Sequence, residues 1–273
     1  MYKIVEKQVL SETVKMMKIK APLVAKKARA GQFIILRIDE PGERIPLTIA
    51  DYNQKEGTVT IIFMEVGKTT RQLGKMKVGD FLLNFAGPLG NPSEIKKYGT
   101  VVMIGGGVGI APLYPIVRDL KKTGNYVISI LGARNEKLLM LEKEIEEYSD
   151  ELFITTDDGS KGIKGFVSDV LKKLIDEGRK INMVMAIGPV IMMKVVTDVT
   201  RPFKIKTLVS LNPIMVDGTG MCGGCRVSVG NETKFACVDG PEFDGHLVDF
   251  DNLMLRNRRF LCQEEEACNC TGV

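Results

Sequence analysis

Hydrophobic and polar residues in the first ninety or so positions follow the short alternation of β-strands rather than the spacing of helices. Runs rich in Val, Ile, Phe and Thr are separated by turn signals such as Pro41-Gly42 and Glu56-Gly57. The runs are KIVEKQVL, TVKMMKIK, GQFIILRI, PLTIADY, GTVTIIFMEV and DFLLNFAG. No amphipathic helix of useful length interrupts them, so the pattern predicts a small β-barrel.

The pattern changes at Tyr98, where β-branched strands begin to alternate with segments of helical spacing. The strands are TVVMIG, YVISILGAR, ELFITTDDG, NMVMAIGP and IKTLVSL, and the helical segments include KLLMLEKEIEEY, GFVSDVLKKLIDEG and VIMMKVVTDVT. This order predicts a parallel, doubly wound sheet of about five strands. Ligands bind such sheets at the carboxyl ends of the strands, which here hold small and polar residues.

Residues 99–117 carry no charge over a length close to that of a membrane span. Five glycines and the prolines at 112 and 115 argue against a lipid-facing helix, so we interpret the stretch as a strand, a glycine-rich turn and a helix start. Lys and Arg number 38 against 34 acidic residues, a bias too weak to indicate nucleic-acid binding. With no secretion signal evident, we expect a cytoplasmic protein without membrane or nucleic-acid partners.

Three of the six cysteines, Cys222, Cys225 and Cys237, lie in a glycine-rich segment with a predicted short hairpin before the last. The C-x4-C-x2-C spacing of plant-type [2Fe–2S] proteins would place a further ligand at Asp217. The glycines would let the backbone approach a cluster closely. A [2Fe–2S] cluster is therefore favoured. A Cys3Asp zinc site and a disulfide with spare thiols are the alternatives.

Two turns suit a pyrophosphate. The stretch from Gly67 to Arg71, GKTTR, offers backbone N–H groups, hydroxyls and cations, but taken alone it is better interpreted as a solvated turn. The turn GGGVGIAP departs from G-x-G-x-x-G at Pro112, yet it permits a pyrophosphate at a helix N-terminus. Tight packing of strand on helix is the alternative there.

Taken together, these features resemble the ferredoxin–NADP reductase superfamily and, within it, the electron-transfer subunits. RIPLTIAD, EVGKTTR, GPLG, GGGVGIAP, TTDDGS and NPIMVDGTGMCGGCRV are most similar to the small subunits of NADH-dependent reduced ferredoxin:NADP oxidoreductases, over about residues 1–250. The related subunits of dihydroorotate dehydrogenase have a fourth cysteine where Asp217 stands, which favours the first family.

The resemblance implies a ferredoxin reductase-like fold: an FAD-binding β-barrel over residues 1–95, an NAD-binding α/β domain over 96–211 and a [2Fe–2S] segment over 212–245. A tail, 246–273, either docks a partner or packs on its own domain. Cys262, Cys268 and Cys270 lie in this tail, where free thiols are favoured over further metal ligation.

The resemblance also assigns individual residues. FAD would contact Arg44, Pro46, Leu47, Thr48, Phe63, Met64, Val66, Gly67, Thr69 and Thr70, with Thr48 nearest the reactive nitrogen as the catalytic residue. The family's arginine lies three residues before that threonine, where this chain has Ile45, so Arg44 departs from the pattern by one position. NAD(H) would contact Gly106, Gly107, Val108, Gly109, Arg134, Asp158, Gly188, Pro189 and Met192, and the cluster would be held by Asp217, Cys222, Cys225 and Cys237.

The function implied is an electron-transfer flavoprotein subunit. It passes electrons between NAD(H), FAD and a [2Fe–2S] cluster inside a larger, electron-bifurcating ferredoxin:NADP oxidoreductase. Its partner would be a larger flavin and iron–sulfur subunit, and ferredoxin would be reached only through that partner. One alternative is the electron-transfer subunit of an NAD-dependent dihydroorotate dehydrogenase. Another, from a different class, is a non-catalytic scaffold stabilised by zinc.

Overall fold

The computed structural model describes residues 1–269. Its N-terminal domain is a seven-stranded antiparallel sheet in the order β6-β1-β2-β5-β4-β3-β7. The strands are β1 (Tyr2–Val9), β2 (Val14–Lys20), β3 (Phe33–Arg37), β4 (Ile45–Asn53), β5 (Thr58–Met64), β6 (Phe81–Leu82) and β7 (Asn84–Leu89). The two edge strands, β6 and β7, are separated in the chain by Leu83 alone, so the sheet curls until its edges meet. The predicted barrel is confirmed as a near-closed one.

Strand β3 is buried on both faces. Ile34 and Leu36 point into the barrel core, while Phe33 and Ile35 alternate with them and point outward. All four side chains are almost fully buried, so the outer face of this part of the barrel is covered by other parts of the chain.

Two helices do interrupt the barrel, so the expectation of none is wrong. They are α1 (Pro22–Lys27) and α2 (Lys68–Lys75). Helix α2 buries only Thr69, Leu73 and Gly74, which gives it too little apolar surface to stand out in the sequence. The predicted polar turn at Gly67 is the start of this helix, where the Thr70 hydroxyl accepts hydrogen bonds from the N–H groups of Val66 and Gly67, both at 3.0 Å.

The second domain is the predicted parallel sheet, covered by helices on both faces. Its elements are β8 (Thr100–Gly106), α3 (Ile110–Lys122), β9 (Tyr126–Ala133), α4 (Glu142–Glu146), β10 (Glu151–Thr156), β11 (Ile163–Lys164), α5 (Val167–Asp176), β12 (Met183–Ile187), α6 (Val190–Thr200) and β13 (Lys206–Ser210). The parallel strands lie in the order β11-β10-β9-β8-β12-β13. Along β8, Val102 and Ile104 face one hydrophobic core, while Val101 and Met103 face the other.

The helix expected over KLLMLEKEIEEY is shorter than its pattern. A 3-10 turn covers Glu136–Leu138, and Leu141 adopts a left-handed φ of 55° that separates this turn from α4. Only the segment after Leu141 is therefore α-helical.

The C-terminal segment contains the predicted hairpin and then returns to the sheet. The hairpin is β14 (Arg226–Val229) with β15 (Glu232–Phe235), and β16 (Glu242–Asp244) follows it. Strand β16 pairs antiparallel with β13 and so adds the last strand to the α/β sheet. Helices α7 (Phe250–Asn257) and α8 (Leu261–Asn269) end the described chain. No helix within the described residues is long and apolar enough to cross a bilayer.

Apolar residues on the outside of the barrel belong to the same cores as the α/β domain. Val14, Ala30, Ala50 and Ile62 pack in one core with residues of α3. Phe33 and Ile35 pack in the other, which also contains the hairpin and α7. The three parts of the chain therefore share their hydrophobic cores.

Candidate functional site

The strand order of the α/β sheet reverses at β8, which has β9 on one side and β12 on the other. The turn from Gly106 to Gly109 leaves the end of β8, and Gly188-Pro189 leaves the end of β12 beside it. Such a switch point opens a crevice in which nucleotides bind. The structure thus brings the two predicted glycine turns together.

The two turns approach so closely that side chains would not fit between them. A Cβ atom added to Gly109 would overlap the carbonyl group of Ile187 and lie 2.8 Å from the Cα of Gly188. A Cβ on Gly188 would lie 2.8 Å from the Cε of Met192. Gly107 differs, because it has a φ of +55° and no heavy atom within 4 Å of an added Cβ. The turn therefore presents its backbone to open space at Gly107.

Arg134 and Asp158, the predicted ribose contacts, lie just after the ends of the adjacent strands β9 and β10, and the Asp158 N–H donates to the Arg134 carbonyl at 3.3 Å. The Ser160 hydroxyl and N–H donate to Asp158 Oδ1 at 2.6 and 2.9 Å, and they lower the pKa of this carboxyl in that order. Ser160 Oγ also accepts from Glu136 N–H at 2.8 Å. A cavity of about 280 Å³ lies here, lined by Asn135, Glu136, Lys137, Asp158 and Ser160.

The sequence analysis did not identify Glu136 and Ser160, which line this cavity with Asp158. Ser160 closes the TTDDGS motif and was available as a signal. Glu136 lies in a segment expected to lead into a helix, and only the fold brings it to the cavity.

On the barrel, the pairing of β4 with β3 determines which side chains of β4 point to the outer face. Thr48 pairs with Phe33, and Pro46 pairs with Ile35, so both point outward with those residues. Leu47 lies between them and packs on the barrel core. Pro46 and Thr48 therefore offer side chains to a ligand on the outer face, while Leu47 offers only its backbone.

The second set of predicted flavin contacts surrounds the start of α2. Phe63 is buried in the barrel core, and Thr69 is buried with its hydroxyl donating to the carboxylate of Glu43. Val66 and Arg44 are exposed. A cavity of about 150 Å³ lies between α2 and the loop before β4, lined by Asp39, Pro41, Gly42, Glu43, Lys68, Thr69 and Gln72. The pairing of Glu43 with Thr69 gave no signal in the sequence.

The barrel set and the α/β set face each other. Strand β5, which ends at Met64, comes within 8 Å of the Gly107–Gly109 turn, measured between Cα atoms, and α3 packs against β4. Met64 also packs on the core that contains Ile110, the first residue of α3. The two predicted nucleotide sites thus lie on opposite walls of one junction.

The Asp217 carboxylate organises the cysteine loop. Its Oδ1 accepts from Thr219 N–H and its Oδ2 from Cys222 N–H, both at 2.7 Å. The hydrogen bond from Thr219 N–H is the main cause that lowers the pKa of Asp217. Desolvation opposes this shift, and the hydrogen bond from Cys222 N–H adds to it. The residue is therefore a charged acceptor held by the loop itself.

The three cysteines occupy two environments. Cys225 and Cys237 are buried with their sulfurs 3.2 Å apart, while Cys222 is exposed and its Sγ accepts from Gly224 N–H at 3.4 Å. Burial, followed by the hydrogen bond to Cys225, raises the pKa of the Cys237 thiol to about 12. Among the side chains that the structure describes, no three His, Cys, Asp or Glu groups are already positioned to hold a metal ion.

The loop nevertheless fits an iron–sulfur cluster in its donors and its backbone. Three thiols and one carboxylate lie along it, and metal binding would displace the thiol protons. Gly218, Gly220 and Gly223 have φ values of +75°, +87° and +63°, a conformation in which successive backbone N–H groups can form an anion-binding concavity.

The loop lies against the barrel. A Cβ added to Gly218 would be 2.8 Å from Ile35 Cγ1 and from Leu89 Cδ1, which belong to β3 and β7. Strand β3 is paired directly with β4, the strand of Pro46 and Thr48. The candidate cluster site and the outer face of β4 are thus neighbours.

Helix α7 supports the cysteine loop from the other side. The Arg256 guanidinium donates to the carbonyls of Gly224 at 3.2 Å and Arg226 at 3.1 Å. His246 Nε2 lies 3.0 Å from Thr200 Oγ1, within hydrogen-bond distance. Cys262 is an exposed free thiol, whereas the Cys268 side chain and all of Cys270 lie outside the described residues.

Family models match the chain in three consecutive segments. They are described as an oxidoreductase FAD-binding domain (residues 1–93), an oxidoreductase NAD-binding domain (103–198) and the iron–sulfur cluster binding domain of dihydroorotate dehydrogenase B (212–249). The dihydroorotate dehydrogenase B (NAD(+)) electron transfer subunit homolog of Thermotoga maritima is 52% identical, over 96% of this chain and 92% of that protein. The electron transfer subunit of Clostridium perfringens is 32% identical, over 82% and 88%.

A solved structure is also similar over its whole length. It is described as the NADH-dependent reduced ferredoxin-NADP oxidoreductase, in work on flavin-based electron bifurcation. The identity is 48%, the TM-score is 0.95, and the match covers 100% of this chain and 98% of that one.

Replacing Gly109 by Ala should force the two glycine turns apart, because the new methyl group meets the backbone of β12. We expect the free energy of unfolding to fall by about 1–3 kcal/mol. Gly124→Ala is the control: its φ of +83° strains the backbone, but no heavy atom lies within 4 Å, so about 1 kcal/mol is expected. Urea denaturation measures both. Weaker NAD binding in the Gly109 variant alone would support the steric account, and equal binding in both variants would contradict it.

Proposed function

The chain belongs to the family of dihydroorotate dehydrogenase B electron-transfer subunits and their homologues, and from that premise we propose that it carries electrons between NADH, FAD and a [2Fe–2S] cluster as one subunit of an electron-bifurcating ferredoxin:NADP oxidoreductase. It is an oxidoreductase subunit with FAD-binding, NAD-binding and iron–sulfur domains in that order. The observation that carries the proposal is that the barrel strands around β4 border both the glycine turn at the end of β8 and the cysteine loop.

The proposed division of labour follows from that junction. FAD supplies the chemistry that couples hydride transfer from NADH to one-electron carriers. Pro46 and Thr48 would bind it on the outer face of β4, and Thr48 would lie at its reactive edge. The backbone of the Gly107 turn would bind the pyrophosphate of NADH, and the two sets orient their ligands toward each other.

The acidic edge of the crevice supports NADH over NADPH. Asp158 and Glu136 both line the cavity beside Arg134, and the Asp158 carboxyl is held in its charged form by Ser160. A carboxylate accepts hydrogen bonds from ribose hydroxyls and repels a 2′-phosphate. Arg134 would instead favour the 2′-phosphate of NADPH, but its side chain is exposed. We base the preference for NADH on Asp158, because Ser160 holds its carboxylate in place.

A larger subunit is the proposed partner of the cysteine loop. Relatives of this chain are electron-transfer subunits, which implies a hetero-oligomer. The loop exposes large apolar side chains around Cys222, namely Met221 at 88% and Val216 and Val238 at 47% each. Exposed apolar groups around a redox site suit burial against another protein. We assign the complex to the cytosol, where cysteines stay reduced.

The first test is the visible spectrum of the anaerobically purified protein, with iron, sulfide and zinc assayed on the same sample. We expect flavin absorption, iron and acid-labile sulfide at about two each per chain, and rapid bleaching by NADH but not by NADPH. Zinc without flavin would instead support a structural scaffold, and flavin that NADH fails to bleach would exclude the NADH reaction.

Asp217 provides a test of the cluster ligands. Asp217→Ala should lower iron affinity by more than about tenfold, because a ligand is lost, while Asp217→Cys should retain iron with an altered cluster spectrum. Asp239→Ala is the matched control, since its carboxylate accepts from Phe235 N–H at 2.7 Å in the same segment but is not a proposed ligand. Iron remaining after chelator dialysis is the measurement. Equal retention in both alanine variants would make Asp217 a loop residue only.

The partner surface is tested by Met221→Glu, which places a charge in the apolar patch. Tagged protein purified anaerobically from its native cells should bring down a larger flavin and iron–sulfur subunit, and the variant should lose it, with affinity falling by about tenfold or more. Leu23→Glu is the control, because Leu23 is 82% exposed on α1. Recovery of a dihydroorotate dehydrogenase catalytic subunit would select that alternative function, and retention by the Met221 variant would place the interface elsewhere.

A further inference from the structure

The two proposed nucleotide sites lie on different domains, so contacts between the domains must set their separation. Thr48 belongs to β4 of the barrel, and the glycine turn leads into α3 of the α/β domain. Helix α3 packs on β4, and Ala50 and Ile110 belong to the same hydrophobic core; apolar contacts of this kind hold the elements together but are not directional. A directional contact is needed to fix their register.

Arg118 makes such a contact. Its Nη1 donates to Oδ1 of Asp51 on β4 at 2.7 Å, and its Nε donates to Asp119 at 3.2 Å. The guanidinium carbon lies 5.9 Å from the ring centre of Tyr52 and 5.5 Å from that of Tyr114. One planar cation therefore joins a carboxylate and a ring on each side of the domain boundary.

The local sequence prepares this geometry on both elements. The pairing of β4 with β5 shifts between Ile49 and Asp51, and such a bulge turns the following side chain out of the sheet. On α3, Tyr114 and Arg118 are four residues apart and so lie on the same face of the helix. Only 14% of the Arg118 side chain is exposed. Burial opposes its charge, but the bonds and charges of Asp51 and Asp119 outweigh that effect and raise the Arg118 pKa.

The contact lies close to both sites along rigid elements. Asp51 is three residues beyond Thr48 on the same strand, about 10 Å away. Arg118 is nine residues beyond Gly109 on the helix that leaves the glycine turn, about 13 Å away. A displacement at the contact would therefore move one site relative to the other.

We propose that Arg118, through Asp51, is a positioning residue that holds the nicotinamide-binding turn in register with the flavin-binding strand. The inference rests on the proposed function, because it assigns Arg118 a role in that hydride transfer. Other polar links join the segment after β7 to the α/β sheet, but they do not join β4 to α3. Lys206 lies 3.6 Å from Glu94, where both side chains are exposed and solvent weakens the pair, and the Ser93 hydroxyl donates to Glu242 on β16.

The test compares binding with rate. In stopped-flow reduction by NADH, Arg118→Met should bleach the flavin roughly 10- to 100-fold more slowly at saturating NADH, because misplacement of about an ångström has effects of that size. The dissociation constant for NADH and the flavin content should stay at wild-type values, since neither site loses a contact. Arg118→Lys keeps the charge without the planar fork and should restore the rate only partly.

The matched control is Lys121→Met on the same helix. Lys121 makes an equally short ion pair, 2.6 Å to Asp150, but both residues belong to the α/β domain. Its rate of bleaching should equal that of the wild type. Amide hydrogen exchange gives a second readout independent of activity, and β4 and α3 should exchange faster in Arg118→Met but not in Lys121→Met.

Asp51→Asn guards against misfolding of the arginine variant, because it retains an oxygen acceptor and removes the charge. Slower bleaching with unchanged NADH affinity in Asp51→Asn would support the proposal even if Arg118→Met does not fold. Wild-type rates in both Asp51→Asn and Arg118→Lys would overturn it, as would an equal loss of rate in Lys121→Met. A wild-type protein that NADH does not reduce would contradict the proposed function instead, and the exchange comparison would still decide whether Arg118 holds the two domains together.

Discussion

The burial of barrel strand β3 on both faces is the constraint on which the arrangement depends. Ile34 and Leu36 complete the barrel core, and Phe33 and Ile35 belong to the core shared with the α/β sheet and the hairpin. Exposing either outward side chain would cost about 1.5–3 kcal/mol. Free hinge motion between the domains is therefore costly, although independent domains often move. The cysteine loop lies against β3 and β7, and β4 is the neighbour of β3 in the sheet. The proposed cluster site and the proposed flavin site on the outer face of β4 are therefore next to each other.

Much of this arrangement was predictable because its signals are local. The β-branched runs and glycine turns from Tyr98 to Ser210 predict the parallel sheet, and the spacing of Cys222 and Cys225 predicts the cluster loop. The features that the sequence did not predict depend on tertiary contacts. Helix α2 is short and polar, and it is stable because Leu73 is buried against the barrel. The pattern before α4 is helical, yet Leu141 adopts a left-handed conformation that no local preference predicts. Three side chains bond to partners more than 25 positions away in the sequence: Arg118, Glu43 and Arg256. The hydrophobic periodicity of the chain cannot indicate such contacts.

The cysteine loop combines two kinds of anchoring. Cys225 and Cys237 belong to the main hydrophobic core, whereas Asp217 and Cys222 lie in the part that Arg256 and backbone hydrogen bonds hold in shape. Loss of the buried pair would therefore disturb folding as well as metal binding. Changes in the outer part would act mainly on the metal and its surroundings. This division is suited to a site that must be fixed in its own subunit and still approach another.

Strand β16 has a consequence for how such chains can be recombined. It follows the cysteine loop in the sequence, yet it pairs with β13 as the last strand of the nucleotide-binding sheet, and Ser93 beyond the barrel donates a hydrogen bond to its Glu242. A chain cut after residue 211 would leave the hydrogen-bonding edge of β13 open to association with other molecules. The iron–sulfur segment therefore cannot be removed without exposing the edge of the nucleotide-binding sheet. A chimaera between relatives should keep the segment from Asn212 to Asp244 together with the sheet that it completes, whichever cofactor set is being exchanged.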